Sequence, residues 1–262
     1  MTSSTPGLGA TDTGRGRDLY LDLMKRVLTN MVYRDPPLNW PGQGNYDIAR
    51  REHGADVPSV AHTMVGLARL DNVQCCLERV LADDIPGDFI ETGVWRGGTC
   101  IFARAVLHAY GVTDRQVWVA DSFAGIPKTQ VTSHPLDRRL QMHRQNDFLA
   151  VSAETVAANF ERYGLLDEQV RFLKGWFRDS LPAAPIARLA VLRLDGDLYE
   201  STMDALNSLY PRLSPGGFTI IDDYVIRACR EAVHEYRDQH GITEPLHQID
   251  EFSVYWRRAK LA

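Results

Sequence analysis

The chain has 262 residues, 44% of them hydrophobic and 24% charged, with a formal net charge of −5. That length and balance fit one large α/β domain, and the absence of a basic block argues against nucleic acid as a partner. No apolar stretch reaches the length of a membrane span, and the N-terminus lacks a signal-peptide core, so no membrane partner is expected. Cys75, Cys76, Cys100 and Cys229 form no C-x-x-C pair, so reduced thiols and a cytoplasmic location are expected.

Residues 1–17 are rich in Ser, Thr and Gly and read as a disordered tail ahead of a single domain over 18–262. Leu19, Tyr20, Leu23, Met24, Val27, Leu28 and Met31 recur at helical spacing, which predicts a helix from about residue 18 to the Asp35-Pro36-Pro37 stop. The Gly-, Pro- and Asn-rich stretch from 35 to 54 reads as a mobile loop. Helices are predicted over 58–69 and 71–81, completing an N-terminal helical part that ends near 87. From 88 onward strands and helices alternate. Strands are predicted at 89–91, 117–120, 170–173, 189–194 and 218–221, and helices at 99–110, 153–163, 201–210 and 227–240. A closing hairpin falls near 247–249 and 254–256. Residues 125–150 form an irregular insert with the character of a lid. Such alternation predicts a doubly wound, mostly parallel sheet with right-handed crossovers.

Two apolar runs end in carboxylates. Leu189-Ala190-Val191-Leu192-Arg193-Leu194 leads into Asp195-Gly196-Asp197, and Phe218-Thr219-Ile220-Ile221 leads into Asp222-Asp223. Parallel sheets bind ligands outside the carboxyl ends of their strands, so Asp195, Asp222 and Asp223 are expected at one mouth. Three carboxylates repel unless a cation sits among them. An all-oxygen set suits a hard ion, Mg²⁺ before Zn²⁺. Asp197 is as well explained by a solvated turn.

Glu91-Thr92-Gly93-Val94-Trp95-Arg96-Gly97-Gly98-Thr99 follows the first strand of the sheet and opens a helix. Its spacing departs from G-x-G-x-x-G, which disfavours a dinucleotide and suits the looser acidic-x-Gly turn that holds S-adenosylmethionine. The glycines alone fit a plain strand–helix turn equally well. Asp121 ends the next strand, where a carboxylate accepts hydrogen bonds from ribose hydroxyls. Lys174-Gly175-Trp176-Phe177 offers an aromatic wall for an adenine, or simply core. A hard ion matters for chemistry at an alcohol. A hydroxyl with a pKa of about 15.7 and an aspartate near 3.9 are mismatched by roughly 16 kcal/mol, so a lone aspartate is no base for it.

Together these residues carry a resemblance. Ala61-His62-Thr63-Met64, the 91–99 turn, Val119-Ala120-Asp121-Ser122-Phe123, residues 192–202, Ile220 to Tyr224 and Arg230-Glu231-Ala232-Val233 resemble the macrocin O-methyltransferase family, over about residues 19–258. The resemblance implies a Rossmann-like class I methyltransferase fold, with a seven-stranded, mostly parallel sheet and an N-terminal helical extension. It implies S-adenosylmethionine and Mg²⁺ as cofactors. It places the metal on Asp195, Asp222 and Asp223 and the catalytic base at Asp195. The cofactor would meet Thr63, Met64, Glu91, Thr92, Gly93, Asp121, Ser122, Gly175, Trp176 and Asp195. The expected reaction methylates a deoxysugar hydroxyl on a small glycosylated natural product such as a macrolide or aminocoumarin. A catechol-type acceptor is the alternative, since a phenol with a pKa near 10 is easier chemistry on the same machinery. A homodimer or higher homo-oligomer is expected. The loops 35–54 and 128–150 would shape the acceptor pocket, with Tyr46 and Arg144 as candidate contacts.

Overall fold

The computed structural model describes residues 10–38 and 44–259, with side chains from 14 onward. Helix α1 spans Ala10–Leu28. It begins earlier than the expected start at 18, so residues 10–17 are not a disordered tail; residues 1–9 lie outside the described part. The Arg17 guanidinium sits 4.2 Å from the centre of the Tyr110 ring and ties this first part of the helix to the body of the protein. The buried stripe is Leu21, Met24 and Leu28, while Leu19 and Leu23 are exposed. The helix ends at Leu28, and the chain turns through 29–34 before reaching Asp35.

The described part of the 35–54 stretch is built around charge. Helix α2 (Ile48–His53) is capped by Asp47, whose carboxylate accepts from the Arg50 amide, and closes on Gly54 at φ +68°. Arg51 is buried and pairs with Asp35 at 2.7 Å and Asp56 at 2.9 Å. Asp35 also accepts from the Val60 and Ala61 amides. Those bonds, with a bridge between Pro37 and Pro58, hold residues 58–66 irregular where a helix was expected. Tertiary partners for the backbone here outweigh a helical pattern. One helix, α3 (Leu67–Ala82), replaces the two expected over 58–81.

The sheet then follows in order. Strand β1 is Asp88–Thr92, α4 Gly98–Ala109, β2 Val117–Asp121, α5 Pro135–Leu140, α6 Asn146–Leu149, α7 Ala153–Arg162, β3 Val170–Lys174 and α8 Phe177–Ser180. Strand β4 is Leu189–Leu194, α9 Tyr199–Leu209, β5 Leu213–Ile221, α10 Arg227–Gln239, β6 His247–Gln248 and β7 Val254–Arg257. The seven strands lie in the order β3-β2-β1-β4-β5-β7-β6. Strands β1 to β5 are parallel, and β7 joins β5 antiparallel. The predicted architecture and closing hairpin are therefore present. Strand β5 starts five residues before the expected 218, carrying Pro215-Gly216-Gly217 inside it with a register irregularity against β4.

The two faces of the sheet carry separate apolar layers. Leu21, Leu70, Val73, Ile101 and Val106 pack on one face, and Leu206, Leu209, Val233 and Tyr236 on the other. Chain order reverses between β1 and β4, and a crevice opens outside the carboxyl ends of the strands at such a switch point. Among the described residues no helix is long and apolar enough to cross a membrane. All four cysteines are free, with Cys75 exposed and the other three buried.

Candidate active site

The crevice is a cavity of about 800 Å³. Its walls include Thr63, Met64, Glu91, Gly93, Asp121, Ser122, Trp176, Asp195, Asp222 and Asp223, so ten of the residues singled out in the sequence converge there. Thr92 and Gly175 do not line it. Thr92 is fully buried and its carbonyl accepts from the Asp195 amide at 2.9 Å. The Gly175 amide is spent on the Asp121 carbonyl at 2.9 Å. Both stand behind the wall and hold it. Tyr46 and Arg144 are absent from the lining too: Arg51 sits 5.3 Å from the Tyr46 ring centre, and Arg144 is exposed.

The glycine turn has a reason internal to the chain. Gly93 has φ +84°, and a Cβ there would collide with the Asp195 carbonyl; one on Gly98 would collide with the His62 carbonyl. Close approach of β1 to β4, and of α4 to the 58–66 segment, thus demands these glycines before any ligand does. Asp121 knits the same turn. Its Oδ2 accepts from the Val94 amide at 2.8 Å and its Oδ1 from the Phe123 amide at 2.7 Å. Burial raises its pKa against those hydrogen bonds. Lone pairs remain for a further donor at the cavity.

The acidic mouth is denser than expected. Asp195, Asp222 and Asp223 each offer an oxygen within 4.8 Å of the others. The cation missing from the sequence reading is partly the protein's own. Arg193, the penultimate residue of β4 and fully buried, donates to Glu91, to Asp195 at 2.8 Å and to Asp222. Arg69 on α3 donates to the other Asp222 oxygen at 2.8 Å and pairs with Asp250 at 2.9 Å. Burial opposes the Asp222 charge, but Arg193 and Arg69 hold its pKa below the usual value. Burial, partly offset by Arg193, pushes Glu91 up to about 7. Burial and the Asp222 charge push Asp195 up to about 6. Asp223 is raised strongly by burial and then by Asp197, Asp195 and Asp222.

Asp197 is half-buried rather than exposed. It lines the cavity at φ +58°, and its amide donates to Asp223 at 2.9 Å. Its carboxylate accepts no hydrogen bond or ion pair among the described residues. Arg193 was legible as a charge inside an apolar run, which needs a buried partner. Arg69 carried no such signal, because a helix places charge on either face without breaking its pattern.

The insert forms the outer wall through Ile126, Lys128, Gln130, Ser133, Met142 and Phe148. Its base is tied by Asn146, whose side chain bonds both the amide and the carbonyl of Ile126. The Trp95 indole donates to the Phe148 carbonyl at 2.9 Å, from a residue at φ +48° in the glycine turn after β1.

The chain is similar to known proteins. The macrocin O-methyltransferase (TylF) family model matches residues 37–258. An 8-demethyl-8-(2,3-dimethoxy-α-L-rhamnosyl)-tetracenomycin-C 4′-O-methyltransferase of Streptomyces olivaceus is 63% identical over 94% of each chain. The mycinamicin III 3″-O-methyltransferase of Micromonospora griseorubida is 57% identical over 93% of this chain and 98% of its own. The structure of the O-methyltransferase NovP superposes with a TM-score of 0.90 at 52% identity, covering 93% of this chain and all of that one. The fold is that of class I methyltransferases, and this chain belongs to the macrocin O-methyltransferase family.

Proposed function

We propose that this protein transfers the methyl group of S-adenosylmethionine to a hydroxyl of a deoxysugar on a glycosylated natural product, with Mg²⁺ held by Asp195, Asp222 and Asp223. The carrying observation is the convergence of those three carboxylates in one cavity, beside the turn of Glu91, Gly93 and Asp121. The donor set fits a hard divalent ion, since all three ligands are carboxylate oxygens and Asp222 keeps lone pairs beyond those its arginines occupy. The cavity volume is within the range of small-molecule sites. The names of the relatives support a sugar acceptor: a rhamnosyl group methylated at 4′ in one, a 3″ oxygen in another.

In this reading Asp121 accepts from the ribose hydroxyls of the cofactor, and Thr63 and Met64 cover its methionine end. When bound, Mg²⁺ supplies Lewis acidity that brings an alcohol within reach of a carboxylate base. Holding acceptor and methyl donor in one cavity converts their encounter into an intramolecular event. The first assignment for the base is Asp195. One observation favours Asp197 instead: Asp195 is already engaged by Arg193, whereas the Asp197 carboxylate is unpartnered among the described residues and faces the same cavity.

The test is mass spectrometry of reactions with S-adenosylmethionine and Mg²⁺ over a panel of glycosylated macrolides, aminocoumarins and catechols. A gain of one methyl on a glycoside, abolished by EDTA and restored by Mg²⁺, is expected. Gain only on catechols would transfer the assignment to aromatic methylation. Asp195→Ala should lose Mn²⁺ binding in a titration along with turnover. Asp197→Asn should keep Mn²⁺ binding and lose roughly 10²–10⁴-fold in kcat if Asp197 is the base. Full activity in Asp197→Asn returns that role to Asp195.

A further inference from the structure

The lid insert contains one residue that its surroundings do not explain. Helix α5 is short and peripheral, and Pro135, Arg138, Arg139 and Leu140 are all exposed. Asp137, among them, is 0% exposed. Its two carboxylate oxygens are both spent on α9: Oδ1 accepts from the Tyr199 amide at 2.7 Å and Oδ2 from the Glu200 amide at 3.0 Å. Those are the first two residues of that helix. A helix start leaves its first amides without intrahelical partners and favours negative charge. The residue at the capping position of α9 is Leu198, which has no side-chain acceptor. The cap is therefore supplied from more than sixty residues upstream, by the lid.

Two further contacts meet at this junction. The His134 ring stacks on the Tyr199 ring, with centres 3.7 Å apart and planes 12° from parallel. The His134 amide donates to the Glu200 carboxylate at 2.7 Å. The helix so gripped begins immediately after Asp195-Gly196-Asp197-Leu198, and all four of these line the cavity together with Ser133 and Glu200. The lid thus fastens onto the segment that presents Asp195 and Asp197.

We infer that Asp137 is a positioning residue, a latch that holds the lid shut over the acceptor end of the cavity by capping α9 and, through that helix start, steadies the loop of Asp195 and Asp197. With the lid lifted, the Tyr199 and Glu200 amides turn to water, so closing and opening exchange hydrogen bonds without stranding a buried group. The inference rests on the methyltransferase assignment, not on the identity of the metal or the acceptor.

Limited trypsin proteolysis of the full chain tests it, because Arg138 and Arg139 are exposed beside the latch. Cutting of a segment that opens and closes rapidly tracks its open population. Asp137→Ala should speed cleavage after Arg138 and Arg139 by roughly fivefold to tenfold, the scale of a lost cap, and leave cleavage elsewhere and the melting temperature of the chain nearly unchanged. Asp137→Asn, which keeps one of the two accepting oxygens, should recover only part of the protection. In turnover, Asp137→Ala should raise KM for the acceptor more than it lowers kcat, and should quicken release of S-adenosylhomocysteine. Unchanged cleavage in Asp137→Ala would overturn the latch. So would a general loss of stability with cutting throughout the chain, since Asp137 would then be ordinary packing. Failure of the wild-type chain to bind S-adenosylhomocysteine would count against the cofactor reading instead, and the ligand-free proteolysis would still decide the latch.

Discussion

The cavity has two walls held by different means. The sheet wall, at the ends of β1, β4 and β5, consists of buried charges locked by Arg193 and Arg69 into positions that the strands dictate. The outer wall, residues 126–149, consists of short helices and turns fastened at a few points by Asn146, Trp95 and Asp137. Buried ion pairs resist removal of one partner because the survivor is left charged in a poor solvent. Isolated hydrogen bonds at a surface yield individually and at small cost. Under the proposed function the cofactor and metal would sit on the rigid wall, and the surface admitting the acceptor would be the one that can move.

Breaking the sheet wall should have the largest effect. Arg193→Met leaves Glu91, Asp195 and Asp222 without their shared cation. The expected cost is about 3–5 kcal/mol, or a fall in melting temperature of roughly 6–20 °C by calorimetry. A melting temperature near that of the wild type would mean the carboxylates take up protons at little cost and that the wall is less rigid than its geometry implies. The outer wall should respond locally. Trp95→Phe keeps the ring and removes the donor to Phe148. Its cost should be about 0.5–1.5 kcal/mol, seen as faster hydrogen exchange over 142–149 with a smaller change in melting temperature than Arg193→Met.

A further effect, confined to acid pH, concerns His62, beside the cavity-lining Thr63. Its Nδ1 lies 2.7 Å from the Tyr163 hydroxyl. Burial, with the Arg162 and Arg96 charges, lowers its pKa from 6.5 to about 4. Between those values the unfolded chain binds a proton that the folded chain refuses. Stability is therefore fully present above pH 6.5 and declines as pH falls toward 4. His62→Gln should flatten that part of the pH dependence of the urea midpoint. An unaltered slope would assign the acid sensitivity to other groups.

The same contrast separates what could be read in the sequence from what could not. Strand ends stopped by Asp121, Asp195 and Asp222-Asp223 were legible because a parallel sheet imposes apolar runs and gathers their ends on one side. Arg193 interrupts such a run, a mark of a buried cation that the sequence reading left unused. The 58–66 segment was misread as helix, because its conformation depends on Asp35, more than twenty residues away, capturing the Val60 and Ala61 amides. Asp137 looked like one more acid in a polar insert. Its burial is created by the start of α9, and nothing within its own few residues announces that partner. Local pattern reports elements whose partners are periodic, and is silent where one side chain reaches across the fold.

The collision that any side chain on Gly93 would meet at the Asp195 carbonyl has a consequence for redirecting the enzyme. The glycine turn and the acidic strand end abut with no room between them, so under the proposed function the spacing from methyl donor to reacting oxygen would be built into the backbone. Libraries aimed at new sugars or new aglycones have little latitude there. They should concentrate on the cavity-lining residues of 126–134, where under the proposed function a changed side chain would meet the acceptor without altering the distance over which the methyl group travels.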